Sequence, residues 1–443
     1  MAHVGKSCTS IEYPSSLRNV PSEVLSHIFV LCSNPIILPY REIPPQVTVS
    51  QVCSRWRQVA LTTSVLWSSV SITWPGSEYA CVLSLYKIWV GRARKHPLTI
   101  QLSCRGECGD IHKVIRDFVV PFRIKMLDIV LPYDAWLNFP PLDVEDFAIT
   151  VNMSQGNGDL KTLPFMDRIR RISLWEPPSF STPFEPSFKG LCWSLHGLRS
   201  FVCHVHVVTL TTWLDVLRAQ SLQSLGDCSL TISGIGSGPL VGVSMPNLRC
   251  FSLRLLDVHP DFVIPLIATP SITLLGIYSP RNWSSNTYDI MAKHYKLPQL
   301  QHLWLHPGRF PLPVTQVLVD APMIHSLEVL GSPVLEAEAQ EGIASGRLGR
   351  CLTSIYLNGC FDSAGEWLDM IETRQRNVNL MVTQVSNWRQ MFTGIKSVNI
   401  LGVLNRREYE ERVVALKALG ISVSFCGERA LWTSLLTPHA ILW

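Results

Sequence analysis

Three short clusters carry side chains that do chemistry. Cys104, Cys108 and His112, each pair separated by three residues, offer two thiols and an imidazole to a zinc ion. Structural zinc needs tighter pairs and a second pair, and none follows, so a reduced loop turning at Gly106 and Gly109 is the expectation. His204 and His206 put two imidazoles on one strand face, but no acidic or histidine partner stands near them in sequence, which predicts a half-exposed strand. Gly234, Gly236 and Gly238 alternate as in a phosphate cradle, yet Pro239 follows where a helix N-terminus is required, so this is a turn. There is no Gly-x-Ser-x-Gly elbow, no His-Glu-x-x-His and no P-loop lysine. The expectation is a chain with no catalytic residue, no metal and no cofactor. An enzyme with a site in the segment 76–160 is the rival from another class, and no adjacent nucleophile and base support it.

Chemistry of another kind, apolar recognition, fits the bulk composition. Of 443 residues, 47% are hydrophobic and 16% charged, against about 25% charged in typical soluble domains. Mean hydropathy is +0.19. Such a chain is rich in core and has apolar surface to spare for a partner. A formal net charge of +4 gives neither a nucleic-acid footprint nor a polybasic membrane patch. The N-terminal residues lack a secretory apolar stretch, and no segment reaches the roughly 18 apolar residues of a membrane span. Thirteen scattered cysteines read as reduced thiols, which points to the cytoplasm or nucleus.

The elements that would present this surface begin at residue 20. Val24, Leu25, Ile28 and Phe29 follow the helical period behind Pro21, and Leu31 and Cys32 widen the stripe beyond what one small core covers. Prolines 35, 39, 44 and 45 predict a loop or a broken short helix. Val49, Val52, Cys53, Trp56, Val59 and Ala60 form a second helix face, then Leu66 and Trp67 turn into an alternating Val70 and Ile72.

The ordered anchors Pro-x-Glu-Val-Leu-x-x-Ile-Phe, Val-x-x-Val-Cys-x-x-Trp-Arg-x-x-Ala and Leu-Trp resemble an F-box over about residues 17–72, most closely the form abundant in mushroom-forming fungi. The proline-rich segment is longer here than in the minimal motif. The resemblance implies docking to the Skp adaptor of a cullin–RING ubiquitin ligase, with Pro21, Val24, Leu25, Ile28, Cys53 and Trp56 at the adaptor-contacting positions.

Beyond residue 160 a motif of the form Pro-x-Leu/Ile-x-x-Leu/Phe-x-apolar starts at Pro246, Pro270, Pro298 and Pro322, at intervals of 24, 28 and 24 residues. Leu352, Ile355, Leu357 and Cys360 continue it, with weaker copies at Ile169, Leu198, Leu222 and Ile395. This period is that of a leucine-rich repeat, in which stacked strand-and-return units bury one continuous core. Gly276 and Gly331 read as strand ends or turns. A last helix spans 405–419, capped at Asn405 and Glu408 and ended by Gly420, before a strand at Ile421, Val423 and Phe425.

The positions flanking each fourth-place apolar residue would face the concave surface: Cys250 and Ser252, Leu274 and Gly276, His302 and Trp304, Ser326 and Glu328, Ser354 and Tyr356. His302, Trp304, Glu328 and Tyr356 are the candidate target-binding residues, with the two aromatics as anchors. The fold expected is mixed, α+β or α/β: a helical F-box at 17–75, a connecting segment and degenerate first repeat at 76–160, an irregular leucine-rich-repeat solenoid at 161–427 and a tail at 428–443. The function expected is a substrate receptor holding an unknown target protein; the alternative is an interaction scaffold without a ligase role.

Overall fold

The computed structural model describes residues 20–39, 42–73, 79–103, 110–132, 142, 144, 146–152, 169–175, 198–204, 208–219, 225–279, 283–308, 310, 312–330, 336–358, 364–384, 393–401 and 409–426. The chain forms two compact units, Met1–Val151 and Asn152–Trp443.

In the first unit, helix α1 (Ser22–Leu31) starts behind Pro21, whose φ of −55° and ψ of 148° place it just outside the helix. Leu25 and Phe29, one turn apart, are its buried residues. The expected second helix is two. Helix α2 (Pro45–Val52) stops at Cys53, where φ is −157°, and α3 (Ser54–Thr62) starts there because the Cys53 thiol accepts the Trp56 N–H at 3.4 Å. Phe29 packs on Trp56 with ring centroids 5.1 Å apart. Ser26 and Thr63 share a hydroxyl hydrogen bond of 3.0 Å, tying α1 to the end of α3. The proline-rich segment is neither purely loop nor helix: Ile36–Leu38 form strand β1, with Ile36 and Leu38 inward and Ile37 outward.

Strand β1 pairs in parallel with β2 (Ser69–Thr73), which follows a 3-10 turn at Ser64–Trp67. Trp67 is buried, donates to the Ala60 carbonyl at 2.8 Å and packs on Trp89 of helix α4 (Tyr79–Ala93) at 4.8 Å. Where a connecting segment was expected lie α4, strand β3 (Leu98–Ser103), helix α5 (Ile111–Phe118), strand β4 (Ile124–Pro132) and strand β5 (Asp146–Asn152). The strand order is β1-β2-β3-β4-β5, with β1 to β4 parallel.

The second unit repeats strand and return segment. Its main strands are β6 (Ile169–Trp175), β7 (Ser200–His204), β8 (Asp227–Ile232), β10 (Cys250–Leu255), β12 (Leu274–Tyr278), β13 (His302–His306), β14 (Ser326–Leu330), β15 (Ser354–Asn358), β16 (Ser397–Leu401) and β17 (Ser422–Cys426). They pair in that order and all in parallel. Strands β9 (Val243–Ser244) and β11 (Ile267–Ala268) form a separate small pair. Helices α6 (Leu210–Ala219), α7 (Pro260–Val263), α8 (Thr287–His294), α9 (Val314–Asp320), α10 (Ala337–Ala344), α11 (Ala364–Gln384) and α12 (Glu410–Ala418) lie between strands. Helix α12 begins at Glu410 behind Tyr409; Asn405 and Glu408 lie outside the described residues. Gly420, with φ of +84°, ends the turn after it.

The register explains why the proline-led pattern folds this way. Phe251, Leu275, Leu303, Leu327, Ile355, Val398 and Val423 stand side by side, one per strand, and are buried from Phe251 through Val423. A strand alone leaves such a residue half wet; a neighbour on each side closes the row. One residue before each strand the same bond recurs: Thr273 N–H to Arg249, Gln301 to Thr273, His325 to Gln301, Thr353 to His325, and Lys396 to Thr353, at 2.7–2.9 Å. The chain is thus a mixed helix-and-strand fold with parallel sheet, and no described helix is long and apolar enough to cross a membrane.

The long interval before β16 holds α11 and its buried Arg374. That guanidinium donates to the carbonyls of Ile343 at 2.9 Å, Gly349 at 2.8 Å and Thr393 at 2.8 Å, joining α11 to the segments on either side. The predicted turn at Gly234–Gly238 is a loop pressed on the start of α6: Leu210 and Thr211 give their N–H groups to the carbonyls of Gly234 and Ile235.

Candidate protein-docking sites

On α1 the residues three and four apart separate into two faces. Leu25 and Phe29 point into the unit, while Val24, Ile28 and Leu31 are 47%, 44% and 75% exposed. Pro21 is also exposed. Trp56 and Cys53 are half-buried, the first held by Phe29 and the second occupied as a helix cap. Of the six expected adaptor contacts, Leu25 needs correction: at 2% exposure it belongs to the unit's own core, because it lies one turn before Phe29 on the buried face of α1. Three large apolar side chains next in sequence were not among the expected contacts. Leu31 extends the α1 stripe, and Ile37 and Ile43, at 59% and 60%, carry exposed apolar surface on the proline-rich segment. Ile37 was marked only by a three-residue alternation among prolines, too short to read as a strand.

In the second unit the register sets several of the expected residues side by side. Ser252, Gly276, Trp304, Glu328, Tyr356, Asn399 and Ser424 lie in one row across β10 to β17. His302 lies in the next row, opposite Leu274 and Ser326. Trp304 and Glu328 differ from the expectation in being buried, while His302 and Tyr356 are half-buried. Across from Trp304 on the neighbouring strand is Gly276. It lies in mid-strand, not at an end, and a Cβ there would come within 3.4 Å of Trp304 Cε3 and 3.1 Å of Ser252 Oγ. Trp304, at 7% exposure, is no freely exposed anchor. Gly331 is outside the described residues.

Electrostatics single out Glu328. It is 7% exposed, and burial pushes its carboxyl up to about 7. Among the described residues it has no hydrogen-bond or ion-pair partner. Burial, then the nearby His325, holds His302 below the usual imidazole range, and burial pushes His306 down to about 4. Tyr278 packs on His306 at 4.3 Å and carries the Arg254 guanidinium over its ring at 5.4 Å.

Other clusters are put to structural use. His259, Asp261, Ser284 and Thr287 bring together the residue types of a hydrolytic triad, but Ser284 donates its hydroxyl to the Asp261 carboxylate at 2.9 Å, as does Thr287 at 2.6 Å. A nucleophilic serine donates to the imidazole instead. Among the described residues no three metal-ligating side chains converge. Cys104, Cys108, His206 and Cys360 lie outside the described residues.

Residues 17–73 match the family model described as F-box-like. No curated protein matches the chain. The first unit therefore carries an F-box-like domain. Domains of this class bind Skp adaptors within cullin–RING ligases.

Proposed function

We propose that this chain is the substrate-recognition subunit of a Skp–cullin–F-box ubiquitin ligase. The F-box-like domain docks the Skp adaptor, and the second unit, read as an irregular leucine-rich-repeat solenoid, holds a target protein. One observation carries the docking half: Val24, Ile28 and Leu31 stay exposed on a helix whose opposite face already fills the core. A helix keeps such a surplus for another polypeptide. The chemistry of ubiquitin transfer lies in other subunits, and this chain supplies proximity by raising the local concentration of target lysines.

The test is co-purification of the full chain with a Skp adaptor and cullin, then transfer of ubiquitin to whatever protein the second unit retains. Adaptor-dependent ubiquitination of that protein is the expected result. Adaptor binding with no transfer to any retained protein would make the chain a scaffold without a ligase role.

A further inference from the structure

We propose that Glu328, with Trp304 on one side and Tyr356 on the other, is the point at which the second unit takes a basic side chain, lysine or arginine, from the protein it holds. This deepens the reading of the second unit as a target-holding surface and rests on that part of it alone.

Buried polar groups of this chain divide into those with a partner inside it and those without, the latter including Gln46 Oε1, the Trp283 indole N–H and the Tyr295 hydroxyl. Arg374 is enclosed and gives its donors to backbone carbonyls. Gln46, also buried, donates to the Asn34 carbonyl. Glu328 is enclosed to a similar degree and has no such partner among the described residues. A buried carboxyl without one is costly, because desolvation penalises its charged form. An arriving cation removes that cost.

The surroundings favour a cation over other ligands. From Ser252 to Ser424 no side chain in the row is basic. Trp304 and Tyr356 stand directly across from Glu328 on β13 and β15, and aromatic rings attract a cation that also meets a carboxylate. The titratable groups on this face of those strands are His302, His306 and Tyr356. Burial holds both imidazoles toward their neutral form, so neither neutralises Glu328 at physiological pH. On its own strand the neighbour on that face is Ser326, also buried. The rim is of hydroxyls and an amide: Ser252, Ser354 and Asn399. Such a rim suits the backbone of an extended segment carrying the basic residue.

The test uses three acetylated, amidated pentapeptides, Ser-Gly-X-Gly-Ser, where X is arginine, lysine or citrulline, titrated calorimetrically into the full chain between pH 5.5 and 8.5. Citrulline keeps the shape of arginine without its charge. The arginine or lysine peptide should bind at least tenfold more tightly than the citrulline peptide. Affinity should rise toward pH 7, by up to about tenfold per pH unit, and level off above it, because the site must lose its proton to take the cation. In Glu328→Gln, a near-isosteric change, the discrimination and the pH dependence should both vanish while thermal unfolding stays cooperative. Equal binding of arginine and citrulline peptides, no binding of any of them, or arginine preference retained in Glu328→Gln would overturn the proposal. Loss of adaptor binding alone would sink the ligase reading and leave this site standing; equal peptide binding beside intact adaptor capture would do the reverse.

Discussion

Replacing Glu328 with glutamine should make the protein more stable at pH 8 than the wild type, and the size of the gain follows from burial. The residue is 7% exposed and burial pushes its carboxyl up to about 7, against an ordinary 4.5. Below pH 4.5 it is protonated in both folded and unfolded chains and costs nothing. Between 4.5 and 7 the unfolded chain sheds the proton while the folded chain keeps it, so stability falls as pH rises; above 7 the loss is complete. At about 1.36 kcal/mol per pH unit, that interval amounts to roughly 3 kcal/mol. His306, pushed down to about 4 by burial, gives the opposite slope, since its stability contribution grows as pH rises toward 6.5. The wild-type curve alone therefore mixes the two groups. The assay is urea denaturation of wild type and Glu328→Gln at pH 5, 6, 7 and 8, read as the difference between them. The difference should grow by a few kcal/mol from pH 5 to 7 and then stay level. Parallel curves would show that Glu328 ionises freely in the folded chain and would remove the physical basis for reading it as a cation site.

Substitutions at three other positions test the packing within each unit. Arg374→Ala takes both guanidinium donors from the Thr393 carbonyl, while the carbonyls of Ile343 and Gly349 keep the Gly346 and Leu352 amides, so the loss should be about 1–3 kcal/mol in urea denaturation; Arg374→Lys should recover part of it. Phe29→Ala removes the ring that supports Trp56 and should cost about 3–5 kcal/mol, seen as a lowered melting temperature of the first unit. Gly236→Ala puts a Cβ 2.0 Å from the Thr211 hydroxyl at a φ of +83°, so its urea midpoint should fall by the equivalent of about 1–3 kcal/mol.

The parts of this fold that could be read from the chain are those where one residue type does one job repeatedly. The proline-led motifs from Pro246 to Pro322 each put an apolar residue in the same row, and the parallel register follows because a slip would turn the row out of the core. The α1 stripe was legible for the same reason, since positions 24, 25, 28 and 29 exceed one face. What could not be read depends on contacts far apart in sequence. The break at Cys53 needs a thiol to cap Trp56, and periodicity runs straight through it. Strand β1 exists because β2 lies beside it, more than thirty residues on. Residue type alone likewise did not separate the buried Trp304 from the half-buried Tyr356, or the inward Leu25 from the outward Val24 beside it. A residue's type predicts that it wants cover, and the fold decides who provides it.

The proposed docking of a Skp adaptor rests on the open face of α1. The direct measurement is the affinity of a purified Skp adaptor for the full chain and for a Val24→Glu, Ile28→Lys variant. Both positions are exposed, so the variant should keep its melting temperature within about a degree, since surface changes usually stay within about 0.5 kcal/mol. The account predicts tight binding by the wild type and a loss of at least a hundredfold in the variant. Equal affinity of the two, or no binding by the folded wild type, would contradict it.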